Sequence, residues 1–195
     1  HYFRIESFKV PWLPVSLVGT AVAFYVGFKN NSSYDRLWEA RKIWGAIVNS
    51  SRMWGSIIKA YVSNQFTEDD LSENDLQGIQ KRMIYRHIGW LYSLRSQLLL
   101  PTSWEHVTQG RMMKKRTEQT MKVYGVGLFN DHITKEELPQ CLPAEEIDRL
   151  VNAQNTATQI IDQQAQDLKE LRSRDLIDDF RHMELQKVLN DFYIH

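Results

Sequence analysis

A single cysteine in 195 residues, Cys141, rules out an internal disulfide framework and agrees with a reducing compartment. Net charge is missing as well: 24 Lys and Arg balance 24 Asp and Glu. A dedicated nucleic-acid binder would be strongly basic, so no nucleic-acid partner is expected. Catalytic signatures are equally scarce. No Glu has His three residues later, which removes the di-metal signature of ferritin-like bundles. There is no Cys-x-x-Cys, no His-Glu-x-x-His and no phosphate-cradling glycine loop. The six His residues, at 1, 87, 106, 132, 182 and 195, are scattered. His87, on an apolar helical face, reads as a buried hydrogen-bonding residue rather than a ligand. Cys141 has no neighbouring base and reads as a small buried or loop thiol. An enzyme therefore has no residues to stand on, and neither metal nor other cofactor is expected.

Long apolar runs are also rare, and the one present is informative. Val10 to Phe28 carries no charge, although Pro11 and Pro14 near its start place the regular helix from about Pro14. The remaining fifteen or so residues sit near the lower limit for crossing a hydrocarbon layer of roughly 30 Å. Lys29, Arg36, Arg41, Lys42 and Arg52 follow the run, whereas only Arg4 and Lys9 precede it. The positive-inside bias then puts residues after about Phe28 in the cytoplasm. Periodicity alone is equally compatible with a buried helix of a soluble protein. Within the run, Gly19, Ala23 and Gly27 form a stripe of small residues at four-residue spacing, which lets membrane helices approach closely. Thr20, Phe24 and Phe28 form a bulkier row beside it.

Downstream the pattern is helical nearly throughout, and an all-α chain is predicted. Leu37, Ala40, Trp44, Ile47, Val48, Trp54, Ile58 and Tyr61 keep three-and-four spacing, so the apolar helix should continue into a long amphipathic one. Ser72-Glu73-Asn74-Asp75 resembles a capping box. The helix it opens should run through Leu76, Ile79, Met83, His87, Leu91, Leu94 and Leu98 before Pro101. Shorter pieces are expected in 103–123, with loops at Gly125, Gly127, Asn130-Asp131, Pro139 and Pro143. The basic residues Arg111, Lys114, Lys115 and Arg116 read as solvated helix surface. A third long helix is expected from Pro143 to Leu171, rich in amides at Asn152, Gln154, Asn155, Gln159, Gln163, Gln164 and Gln166. That amide face is either solvated or borders a water-filled vestibule. A last helix should carry Leu176, Ile177, Phe180, Met183, Val188, Leu189 and Phe192.

The string Val26-Gly27-Phe28-Lys29-Asn30-Asn31, followed by Ser33-Tyr34, Arg36, Glu39-Ala40-Arg41 and Trp44-Gly45, resembles the pore-helix signature of bestrophins, bacterial members in particular. Leu189 to His195 resembles the stretch that those proteins place before their third membrane helix. The resemblance covers the chain nearly end to end. It implies four membrane segments per subunit and a homopentamer around an axial pore, of which this chain would be the middle. A mean hydropathy of −0.45 fits such a piece, since a complete four-span protein should be more apolar. Residues 1–30 would hold the pre-helix loop and second membrane helix, and residues 31–195 a cytoplasmic helical bundle.

By the same resemblance Thr20, Phe24 and Phe28 occupy the three positions of the pore neck, where rings of Phe close a pore by excluding water. Thr20 departs from the aliphatic or aromatic group usual at the first position, which should ease wetting there. Asn30, Asn31 and Arg36 fall at the pore mouth or between helices, with Tyr34, Trp38, Glu39 and Arg41 beside them. A cytoplasmic constriction would fall near Ala157, Ile160 and Ile161. The implied function is passive conduction of monovalent ions, chloride by family expectation, across a bacterial inner membrane, with the lipid bilayer and further copies of the chain as partners. The calcium clasp of eukaryotic members uses segments not contained in this chain. The alternative from another class is a soluble all-α scaffold that binds a partner and transports nothing.

Overall fold

The computed structural model describes residues 12–67, 71–98, 110–112, 115, 119, 132–151, 153 and 155–194. All regular structure among them is helical, as predicted. In chain order the helices are α1 (Trp12–Tyr61), α2 (Glu73–Leu98), α3 (His132–Cys141), α4 (Ala144–Val151), α5 (Thr156–Ser173) and α6 (Asp179–Ile194). The loops expected at Gly125, Gly127 and Asn130-Asp131, and most of 103–123, lie outside the described residues. The chain divides into two units, His1–Ala46 and Ile47–His195.

Helix α1 starts at Trp12, so Pro14 lies in its first turn, where a missing N–H would have no helical partner anyway. It continues without a break through the Gly27-Lys29 junction to Tyr61, as the spacing predicts. Every side chain from Pro14 to Gly45 is exposed in the first unit. Among the described residues, no helix is long and apolar enough to cross a membrane. Ser16, Thr20 and the glycines dilute the apolar character of the run that ends at Phe28, and the charged run begins at Lys29.

The second unit is built around one core to which every one of its helices contributes. Ile47, Trp54 and Ile58 of α1 join Ile79, Met83 and Trp90 of α2, Leu138 of α3, Leu150 of α4, Leu168 and Leu171 of α5, and Leu185, Leu189 and Phe192 of α6. Helix α2 opens where the capping box put it. The Ser72 hydroxyl accepts from the Asp75 backbone N–H at 3.2 Å and donates to the Asp75 carboxylate at 2.7 Å. Its buried stripe differs from the expected one, running through Ile79, Met83, Arg86, His87, Gly89, Trp90, Ser93 and Ser96. Leu91 and Leu94 are half-buried and Leu98 is exposed. Three of the polar side chains that displace the leucines, Arg86, His87 and Ser93, meet partners on other helices; Ser93, for instance, meets the Thr156 hydroxyl at 2.7 Å.

Three further expectations are corrected. Pro139 lies inside α3 rather than in a loop, between Leu138 and Leu142, which are both buried and joined by the Leu142 N–H to Leu138 carbonyl bond at 3.0 Å. The long helix expected after Pro143 is two helices, α4 and α5. Asn155 ends any continuation: its side chain accepts from the Thr158 N–H at 3.0 Å and caps α5, an asparagine role that competes with helix interior. At the other end of α5, Asp175 takes φ 53, and the Leu176 and Asp175 N–H groups bond the Leu171 and Arg172 carbonyls at 3.0 and 3.1 Å. This is a Schellman closure with Asp where glycine is usual. It ends the chain's helical run before Leu176 and Ile177, which plug into the core from the turn, while Phe180 and Met183 of α6 stand exposed.

The carbonyls left over at the end of α1 find partners from elsewhere in the chain. Gln80 donates to Val62 O at 2.9 Å, and Arg181 donates to Tyr61 O at 3.0 Å while its guanidinium covers the Phe66 ring at 4.7 Å.

Candidate functional site

Four-residue spacing on α1 places Thr20, Phe24 and Phe28 in one row and Gly19, Ala23 and Gly27 in the row beside it. Phe24 and Phe28 are 64% and 72% exposed, and their rings stack with centroids 6.4 Å apart and planes 23° apart. Thr20 Oγ1 donates to the Ser16 carbonyl at 3.0 Å, which uses its proton and leaves only lone pairs to face outward. A Cβ built on Gly19 or Gly27 would meet nothing within 4 Å. Thr20, Ala23, Phe24, Gly27, Phe28, Asn30 and Asn31 border one open depression on the helix surface. The structure thus brings together the bulky row, most of the small row and both asparagines. Arg36 does not border it, and no charged side chain does. The nearby Lys29 ammonium lies over the Tyr25 ring, 5.8 Å from its centroid.

The second unit treats its expected residues differently. Ala157, Ile160 and Ile161 are buried in the core of their own unit. Of the amides, Gln159 and Gln166 are exposed, Gln163 is half-buried, Asn155 is spent on the α5 cap, and Gln164 is fully buried; the side chains of Asn152 and Gln154 lie outside the described residues. Ala157, Ile160 and Ile161, nominated by the resemblance, share one face of α5, and that face turns toward α2 and α6.

Two buried polar residues on α2 organise this unit. Arg86 was not singled out by the sequence pattern. Its Nε and Nη2 donate to Glu146 of α4 at 3.1 and 2.8 Å, and its Nη1 pairs with Asp167 of α5. All three side chains are buried. One guanidinium thus ties three helices through a planar fork that lysine could not reproduce. A cation on the core face of α2, one residue before His87, was the available signal.

His87 is buried as predicted, with Nε2 2.9 Å from Ser51 Oγ on α1. Burial lowers its pKa to about 4, the Gln164 side chain acting more weakly in the other direction. The folded protein therefore holds His87 neutral, while the unfolded chain protonates near 6.5. Unfolding takes up a proton between those values, so stability falls as pH drops from 6.5 to 4 and is constant above that window. The loss attributable to His87 should total about 3 kcal/mol. Urea titrations at pH 7 and pH 4.5 should show that His87→Phe loses stability less steeply with acid than the parent; equal slopes would rule out His87 as the source.

Burial and the neighbouring Glu137 push the Cys141 thiol pKa upward, which disfavours the nucleophilic thiolate. Among the described residues no group of three or more His, Cys, Asp or Glu is placed to hold a metal ion.

Comparison with known proteins identifies the fold and lineage. The voltage-dependent anion channel-forming protein of Ralstonia nicotianae is 50% identical over 52 residues, covering 22% of this chain and 17% of that protein. Its counterpart in Mesorhizobium japonicum is 54% identical over 47 residues, covering 24% and 15%. Among solved structures, a point variant of a bacterial bestrophin homolog from Klebsiella pneumoniae superposes with a TM-score of 0.61 at 19% identity, over 91% of this chain and 51% of that one. A chain described as a membrane protein matches with a TM-score of 0.66 at 18% identity, over 94% and 53%. The chain therefore spans about half the length of the solved structures that it matches. The family model described as Bacterial/Fungal Bestrophin protein matches residues 1–194. With that match running essentially from end to end of an all-helical chain, the protein belongs to the bacterial and fungal bestrophin family.

Proposed function

We propose that this chain is the pore-helix and cytoplasmic part of a subunit of a homopentameric anion channel in a bacterial inner membrane, conducting chloride or other monovalent anions passively. Family membership and the names of the relatives point to a channel rather than an enzyme. The observation that carries the reading is the pair of exposed rows on α1: small residues at Gly19, Ala23 and Gly27 beside Thr20, Phe24 and Phe28. Small residues allow neighbouring copies to approach closely, and the bulky row then turns toward a common axis. There the phenyl groups form an apolar collar that gates by dewetting, with Thr20 easing wetting at one end and Asn30 and Asn31 supplying uncharged dipoles at the other. Arg36 acts between helices rather than on the ion. The shortness of the apolar segment suits this role. A helix enclosed by other helices around a pore need not match the hydrocarbon thickness along its whole surface, because only lipid-facing groups meet the bilayer.

Selectivity in this arrangement comes from ring edges and amide N–H groups, since no charged side chain borders the row.

Single-channel recording of the full-length protein in planar bilayers under asymmetric salt tests the proposal. Phe24→Ala and Phe28→Ala should each raise conductance severalfold, with a reversal potential on the anion side. Unchanged currents in both variants would remove these rings from the pore. A full-length product that stays monomeric and soluble without detergent would favour a partner-binding scaffold instead.

A further inference from the structure

Glu39 and Arg41 are exposed, oppositely charged and only two positions apart on α1, yet the helix itself keeps them from meeting. At about 100° per residue, side chains two positions apart point to nearly opposite sides. The register of α1, unbroken from Trp12 to Tyr61, says which sides these are. Arg41 follows Ala23 by eighteen residues, or about five turns, and so continues the row of small residues. Glu39 follows Phe28 by eleven residues, about three turns, and continues the bulky row on its edge away from the small one. Asp35 stands in the same relation to Phe24. Past the depression that the two rows border, one flank of α1 therefore carries a cation and the other carries anions.

The helix has cations close enough to neutralise Glu39 locally and does not use them. Arg36 and Lys42 lie three positions before and after it, a spacing at which helical ion pairs form. Lys42 instead lies over the Trp38 ring, 5.7 Å from its centroid, and among the described residues Asp35, Glu39 and Arg41 make no ion pair. Asp35 and Glu39 are four positions apart, where two carboxylates repel.

Both flanks find a partner at once where parallel copies stand side by side. In a closed ring each copy offers one flank to the neighbour on its left and the other to the neighbour on its right, a heterologous contact. With the bulky row turned to the axis, the small-residue flank of one copy meets the Phe28 edge of the next. Cyclic symmetry keeps the copies level, so Glu39 and Arg41 of adjacent copies differ in height by only the rise of two residues, about 3 Å. Packed helix axes stand about 8–10 Å apart, a gap that a glutamate and an arginine side chain span together. Beyond Gly27 the small row gives way to Tyr34 and Leu37, each 63% exposed, so copies separate there and only long side chains reach across.

We propose, resting on the homopentamer reading, that Glu39 of each copy pairs with Arg41 of the next, with Asp35 adding to the negative side. The pairing repeats at every junction of the ring, joins the helices beyond the phenyl collar and sets which flank of one copy meets which flank of its neighbour.

The full-length protein in mild detergent, with the mass of each species read by light scattering behind a size-exclusion column at low and high salt, tests this. The parent should run as a pentamer. Glu39→Arg and Arg41→Glu should each lose most of that pentamer to smaller species at low salt, where like charges meet at every junction, and regain part of it at high salt through screening. Combining Glu39→Arg with Arg41→Glu should restore the pentamer, because the pair is then only reversed. Single variants that stay pentameric at low salt would overturn the pairing alone. So would a combined variant that assembles no better than the single ones, since the charges would then answer to other partners. A parent that forms no pentamer would overturn the pairing together with the ring on which it rests.

Discussion

Arg86→Met should destabilise the second unit by about 3–5 kcal/mol, the usual cost of removing one partner from a buried ionic network. The variant would leave Glu146 and Asp167 facing each other in the core, with side chains only 5% exposed and no cation between them. Arg86→Lys should recover only part of the loss. A point charge cannot hold Glu146 through two nitrogens and Asp167 through a third. Replacing all three by apolar residues, Arg86→Met with Glu146→Leu and Asp167→Leu, should return most of the stability, since the penalty belongs to uncompensated charge and not to the missing pair itself. Chemical denaturation of the purified protein would measure these differences. An Arg86→Met variant within about 1 kcal/mol of the parent would show that water reaches the carboxylates and that the network is not what holds α2, α4 and α5 together.

Helix α1 provides the second large effect through three tryptophans that the residue pattern does not distinguish. Trp54 is fully buried against His87 and Phe192, whereas Trp38 and Trp44 are 48% and 46% exposed. Trp54→Ala should cost about 3–5 kcal/mol of unfolding free energy, through lost burial and the cavity left among the aromatic rings. Trp38→Ala and Trp44→Ala should each change subunit stability by less than about 1 kcal/mol. If the channel proposal holds, their effect appears in assembly instead, as a shift from oligomer to smaller species in detergent size-exclusion chromatography. A Trp54→Ala variant as stable as Trp44→Ala would contradict the packing described for the end of α1.

Much of the helical architecture was legible because its causes are local. The Ser72 to Asp75 cap began α2 at the expected position, and three-and-four spacing carried α1 through a change of polarity without a break. The burial of His87 was read from the apolar face around it. Misreadings arose where one residue could serve two local structures. Asn155 could continue a helix or cap one, and its side chain reaches the Thr158 N–H, so it caps. Pro139 signalled a loop but sits in a helix held by buried Leu138 and Leu142. Phe180 and Met183 have the right spacing for a core face, yet the turn at Asp175 delivers Leu176 and Ile177 to the core first. The candidate neck was legible by likeness to a family signature, and helix geometry alone places its residues in one row.

The amino-acid sequence by itself determined that this chain is helical, where α1 and α2 begin and end, and which family it belongs to. Those properties rest on capping, periodicity and residue order, all of which act within a few positions. Only the tertiary structure decided which apolar faces are covered and which polar groups are paired. Trp54 is buried and Trp44 is not, and Arg86 meets carboxylates 60 and 81 residues away, because burial and charge pairing depend on what distant segments bring to the same place. Sequence spacing within one helix carries no record of that neighbour.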